Sequence, residues 1–189
     1  MNTGQTVLTI GALVLLGFTV LLTNRSSLQY GTIINQTEID IYSVSLAESI
    51  MEEAAGKAFD HYSASDTAGN GAVITAVSQL TSPSSLGTES DDNYSNPKKS
   101  FDDFDDYNSW SVTPYVIYVP GVDSFHIQAQ VFYVDTTNPD LKLSTQTWHK
   151  KMIVKVWPTI TPWGETKSSG KAKPDTVTMS YLMSYWWFR

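Results

Sequence analysis

Three features of this sequence predict an α+β fold in which a long N-terminal helix, membrane-spanning in its first half, packs on a C-terminal antiparallel β-sheet domain. Thr6 to Thr23 is an apolar run with no charged side chain, and Leu28 to Met51 carries apolar residues at helical spacing. Beyond Ser100 the period changes to two. The expected division is a helix over 1–62, with 6–23 apolar enough to span a membrane or to form the core of an assembly and 24–62 amphipathic, followed by a β-rich head over 63–189.

The run TVLTIGALVLLGFTVLLT comes first. At about 1.5 Å per residue it reaches roughly 27 Å as a helix, close to the hydrocarbon thickness of a bilayer. A cleavable secretory signal fits it less well, because MNTGQ carries no basic side chain and the run is longer than the usual apolar stretch of such a signal. We therefore expect the segment to be retained.

The second half of the helix follows from Leu28, Ile33, Ile34, Ile39, Ile41, Val44, Leu46, Ile50 and Met51, interleaved with Gln36, Glu38, Asp40, Glu48, Glu52 and Glu53. No proline occurs before Pro83, so one continuous rod is permitted; Gly31 is the weak point at which it would divide into two helices. Ala54, Ala55, Gly56 and Ala58 allow close packing, Phe59 and Tyr62 supply an anchor, and SASDTAGNG, Ser63 to Gly71, is the expected stop. A rod of that length is far more than an anchor needs.

Residues Gly71 to Leu80 read as a short strand or the end of another helix, and Ser82 to Ser100 as a polar loop. Four strands are then expected within Val112 to Val119, Phe125 to Thr136, Lys142 to Trp157 and Thr176 to Phe188, all rich in Val, Ile, Thr and aromatics. In the second, Ile127, Ala129, Val131 and Tyr133 share a face; in the third, Met152, Val154 and Val156 do. Turns are expected at Asp135 to Asp140 and across Thr159 to Asp175. A meander of this kind needs a cover for its apolar face, and the amphipathic half of the helix is the available one.

Composition narrows the function. A net charge of −7, with acids concentrated between Glu89 and Asp106, disfavours nucleic acid and anionic lipid as partners. The chain has no cysteine, which removes disulfides, thiolate metal sites, thiol catalysis and covalent haem attachment. His61, His126 and His149 are far apart and in no metal-binding spacing, and there is no GxSxG, P-loop or dinucleotide fingerprint, so no catalysis is expected. The aromatics of YWWF, Tyr185 to Phe188, with Trp110, Trp148, Trp157 and Trp163, read as sheet core and subunit contact. Of the sequons at Asn24, Asn35 and Asn93, only Asn93 lies off the long helix.

One cluster invites an ion. Asp91, Asp92, Asp102, Asp103, Asp105 and Asp106 are close in sequence, with Asn93, Asn96 and Asn108 among them. Calcium takes six to eight oxygen ligands, which Asp and Asn loops supply, although the glycine and terminal glutamate of an EF-hand are absent. The candidate calcium ligands are Asp102, Asp103, Asp105 and Asp106; the alternatives are a solvated acidic loop, or carboxylates that cap a turn and pair with Lys98 and Lys99. No other cofactor is expected.

An apolar N-terminal helix, its amphipathic continuation and a C-terminal antiparallel sheet together resemble the type IV pilin-like superfamily of pilins, minor pilins and secretion pseudopilins. FDDFDDYN, Phe101 to Asn108, is similar to an FDDxDDY-type segment found before the sheet in some of these proteins. The resemblance implies a structural subunit of an extracellular type IV pilus-like filament. The runners-up are a minor pilin, a secretion pseudopilin, or a monomeric membrane-anchored extracytoplasmic β-domain that acts as a binding module. It implies Gly4 and Gln5 as the residues flanking a leader-cleavage site, with Thr9 at the fifth position where the family pattern has glutamate and no lysine or arginine before Gly4. It also implies storage in the inner membrane, display at the cell surface, and an assembly ATPase with its membrane platform as partners. Assembly would run through copies of the helix, with Leu8, Ile10, Leu15, Phe18, Leu21 and Leu22 as its apolar surface and Gly11, Ala12 and Gly17 allowing close approach. Arg25 lies on the side that a pilin places outside the cytoplasm, against the positive-inside tendency.

Overall fold

In the computed structural model, which describes residues 2–64, 73–89, 100–115, 124–159 and 176–186, the N-terminal segment is one helix, α1, Thr3–Ala55. At 53 residues it is about 80 Å long. It does not divide at Gly31, because nothing there removes a backbone hydrogen bond and the propensity cost of one glycine is only about 1 kcal/mol.

The helix ends at Ala55, short of the expected Tyr62. The backbone after Gly56 is committed elsewhere: the Ala58 N–H donates to Asp102 O at 3.1 Å and the Phe104 N–H to Ala58 O at 2.9 Å. Continuing the helix would forfeit both bonds. Asp60 then caps a short 3-10 turn, His61–Ser63, receiving the Tyr62 N–H at 3.3 Å.

Four strands form one antiparallel meander in the order β1-β2-β3-β4: β1 Ser111–Tyr115, β2 Phe125–Tyr133, β3 His149–Pro158 and β4 Val177–Ser184. The third strand begins at His149 rather than near Lys142, since Leu143 is drawn aside by a bond from its N–H to Tyr133 O at 2.9 Å. Of the first expected strand, 116–119 lies outside the described residues, as do most of the long connection before β4 and the Asn93 sequon. Among 73–80 the structure has a 3-10 turn, Val77–Gln79, in place of the expected strand or α-helix. The Asp135 turn forms, with Thr137 Oγ1 donating to Asp135 Oδ2 at 2.7 Å.

The apolar alternation decides which face is covered. Phe125, Ile127, Ala129 and Val131 of β2 join Met152, Val154 and Val156 of β3 in the core, and the C-terminal part of α1 lies across β3 and β4. It contributes Ile39, Leu46, Ala47, Ile50, Met51 and Ala54, whose spacing of three and four places them on one stripe. The amphipathic half therefore begins to pack only near Ile39. Leu28, Ile33 and Ile34, expected to belong to it, stand exposed.

Candidate functional site

The segment Phe101 to Trp110 owes its shape to a period of three. Phe101, Phe104, Tyr107 and Trp110 are all buried, and Tyr107 meets Phe101 and Trp110 edge-on at centroid distances of 4.9 and 5.9 Å. The acids between them are held close to the backbone. Asp103 Oδ1 accepts the Asp105 and Asp106 N–H groups at 2.7 and 3.1 Å, while Asp106 Oδ2 accepts those of Asp102 and Asp103 at 3.0 and 3.1 Å. These reciprocal caps make the 3-10 turn Asp105–Tyr107. Asn108 extends the clamp, donating from Nδ2 to Leu86 O at 2.9 Å and accepting the Val131 N–H on Oδ1 at 3.1 Å. The loop reaches Asn108 because Gly87 takes a φ of +135°, open only to glycine at low cost.

Asp105 keeps a side-chain hydrogen bond to Asp103 and also turns to a lysine. Lys150 is fully buried on β3, and its Nζ donates to Asp60 Oδ2 and Phe59 O, each at 2.8 Å, and to Asp105 Oδ1. Its ammonium also lies 4.6 Å from the Phe59 ring centre. Asp60 in turn accepts Thr81 N–H and Oγ1, both at 3.0 Å, and Tyr133 Oη donates to Thr81 O at 2.8 Å. Burial alone would push the Lys150 ammonium down; Asp105, Asp60 and Asp103 outweigh it and hold it above its ordinary value. Burial also raises Asp105 against the pull of Lys150, and pushes Asp103, with Asp105 and Asp106 adding, up to about 11.

The four expected calcium ligands therefore separate. Asp102, Asp103 and Asp106 each offer an oxygen within 4.8 Å of the others, whereas Asp105 belongs to the Lys150 ion pair. The histidines, distant in sequence, are not all remote in space: His61 Nδ1 lies 3.8 Å from Glu89 Oε2, and His61, Glu89 and Asp103 form a second group of the same size. His149 Nδ1 meets Ser184 Oγ at 2.7 Å, and His126 stacks on Trp157.

Lys150, Asp60 and Thr81 did not emerge from the sequence as site residues. Lys150 had a signal, because it shares period and face with Met152, Val154 and Val156. A lysine on the inward face of a strand implies a buried acid to meet it.

The expected assembly residues lie on the exposed apolar part of α1. Leu8, Ile10, Leu15, Phe18, Leu21 and Leu22 are 50–74 % exposed, and a Cβ placed on Gly11 or Gly17 would meet nothing within 4 Å. Gly4 and Gln5 fall in the first turn of the same helix, exposed. The helix is long and apolar enough to cross a membrane near its N-terminus. Further along, Tyr30, Ile34, Ile41 and Val44 are also exposed, at steps of four, seven and three, on the side of α1 turned away from the sheet. No protein-family model, curated protein or solved structure matches the chain.

Proposed function

We propose that this chain is a structural subunit of an extracellular type IV pilus-like filament, assembled through α1 and wearing the sheet domain on its outside. The observation that carries the reading is the exposed stripe of Tyr30, Ile34, Ile41 and Val44. Val44 lies about 57 Å along the helix from Thr6, well beyond the roughly 30 Å hydrocarbon core of a bilayer. Lipid covers the first part of the rod and cannot reach the rest. The stripe keeps the four-and-three spacing by which one helix packs against another, with Thr37 completing the seam between Ile34 and Ile41. A second copy of the same rod supplies that partner, and a repeated contact that does not close produces a filament.

In this mechanism the membrane stores the subunit through Thr6 to Thr23. Extraction then exchanges lipid for neighbouring helices around Gly11, Ala12 and Gly17. The test is electron microscopy of sheared surface material from the expressing cell, with mass spectrometry of its subunits. Long filaments composed mainly of this chain support the proposal, and the first residue of the N-terminal peptide reports whether cleavage occurs between Gly4 and Gln5. Filaments in which the chain is a trace component would make it a minor pilin or pseudopilin. Recovery only as a detergent-soluble monomer would replace the proposal with a membrane-anchored binding module.

A further inference from the structure

We propose that Lys150 and Asp105 condense into a side-chain amide, releasing one water, so that β3 is joined covalently to the turn preceding β1. Lys150 Nζ donates to Asp105 Oδ1 with both side chains 0 % exposed, which puts the nucleophile in contact with the carboxyl it would attack. Groups held in this way act as though at effective concentrations of about 10⁵ M or more, which offsets the reluctance of an amine and an acid to condense in water. Aromatic rings wall the contact: the Phe59 and Tyr133 ring centres lie 4.6 and 5.4 Å from Nζ. The amide also discharges a buried ion pair, and the desolvation cost of the two charges goes with it.

The neighbouring acids supply the proton transfers. Asp60 Oδ2 accepts from Nζ at 2.8 Å, and its carboxylate is held by the Thr81 N–H and Oγ1, both at 3.0 Å, which fixes it as a proton acceptor beside the amine. Asp105 shares a side-chain hydrogen bond with Asp103, whose carboxyl is kept protonated by burial and by the charges of Asp105 and Asp106. A donor there draws electrons away from Asp105 Cγ. In the reaction the ammonium passes one proton to Asp105 Oδ1, which leaves a neutral amine and a neutral acid. Nζ then attacks Cγ, forming the C–N bond, and gives a second proton to Asp60. Asp60 returns that proton to the hydroxyl on Cγ, the C–O bond breaks and water departs; Asp60 and Asp103 end as they began. The ion-paired chain is the precursor and keeps the Lys150 ammonium with its alkaline behaviour, whereas the linked chain has lost it. None of this depends on filament assembly.

The experiment takes the full chain in detergent from the expressing cell, digests it with trypsin and maps the peptides by mass spectrometry. A branched peptide should appear, uncut after Lys150, joined to the segment that carries Asp105 and lighter than the two parts by one water. Lys150→Arg keeps the positive charge but presents no amine, and should lose both the branch and the missing water. In chain followed after a pulse of synthesis, Asp103→Asn, which keeps an oxygen for the Asp105 and Asp106 N–H groups, should slow the appearance of the branch at least about tenfold. Formation at the parental rate overturns the role given to Asp103. Recovery of Lys150 only in unbranched peptides cut after it overturns the proposal, and the parent digest decides this even if neither variant folds. A branch to Asp60, or a missing water that survives in Lys150→Arg, overturns it as well.

Discussion

Lys150 Nζ donates to Asp60 Oδ2 at 2.8 Å with both side chains fully buried, joining a strand residue to the chain just beyond the end of α1. A buried pair of this kind gains little over apolar packing, but removing one member leaves the other charge stranded. Lys150→Met should therefore lower unfolding free energy by about 3 kcal/mol, since Asp60 and Asp105 both lose their cation. Denaturant titration of the chain in detergent measures it. A change under about 1 kcal/mol would mean that the carboxylates find another partner.

The same ammonium sets an alkaline limit. Its folded value stands above the ordinary 10.5, so its contribution is fully present below about pH 10.5 and is lost as pH rises through the folded value. Tyr133 acts in the same direction: burial first, then Asp60 and Asp105, push its phenol far above 10.0, and the folded state resists ionisation that the unfolded chain permits. Stability should fall as pH rises above about 10, where the unfolded tyrosine and then the unfolded lysine begin to titrate, more steeply than ordinary surface lysines explain. In Lys150→Met the Lys150 share of that slope should vanish. Melting curves of both proteins across that rise compare them directly.

The aromatic period of three predicts a graded pair of substitutions. Tyr107 Oη donates to Glu53 Oε1 at 2.8 Å, so Tyr107→Phe keeps the ring packing and loses one partly buried bond, about 1 kcal/mol. Phe104 is 0 % exposed, and Phe104→Ala should cost about 4 kcal/mol through lost burial and the cavity left behind. Unfolding midpoints of the two variants give the ranking. Equal losses would show that the Glu53 bond, and not the aromatic packing, holds the segment to α1.

Much of the architecture was legible because it rests on periodicity. The long helix follows from apolar spacing without proline, and the inward faces of β2 and β3 from alternation at Ile127, Ala129 and Val131, and at Met152, Val154 and Val156. The end of α1 was not legible, because it is decided by Ala58 pairing with residues more than forty positions away. The acidic segment was visible as a cluster but its division was not. Asp105 and Asp103 are two residues apart, and only the position of Lys150 on a strand far along the chain sends the first to an ion pair and leaves the second beside Asp102 and Asp106.

The proposed filament makes the last prediction separable from folding. Ile41 is 60 % exposed on the face of α1 opposite the sheet, and a Cβ on Gly17 would meet no atom of the same chain within 4 Å. Ile41→Glu and Gly17→Leu should therefore leave the melting temperature of the detergent-solubilised subunit within about 1 °C of the parent, as surface changes usually do. Each should nevertheless abolish or sharply shorten filaments in sheared material, the first by placing a charge in a helix-helix seam and the second by keeping neighbouring rods apart. Ser180→Glu, on the exposed side of β4, serves as a surface control that should assemble normally. Filaments of parental length and abundance from both helix variants would remove α1 from the contact and, with it, the mechanism of assembly proposed for this chain.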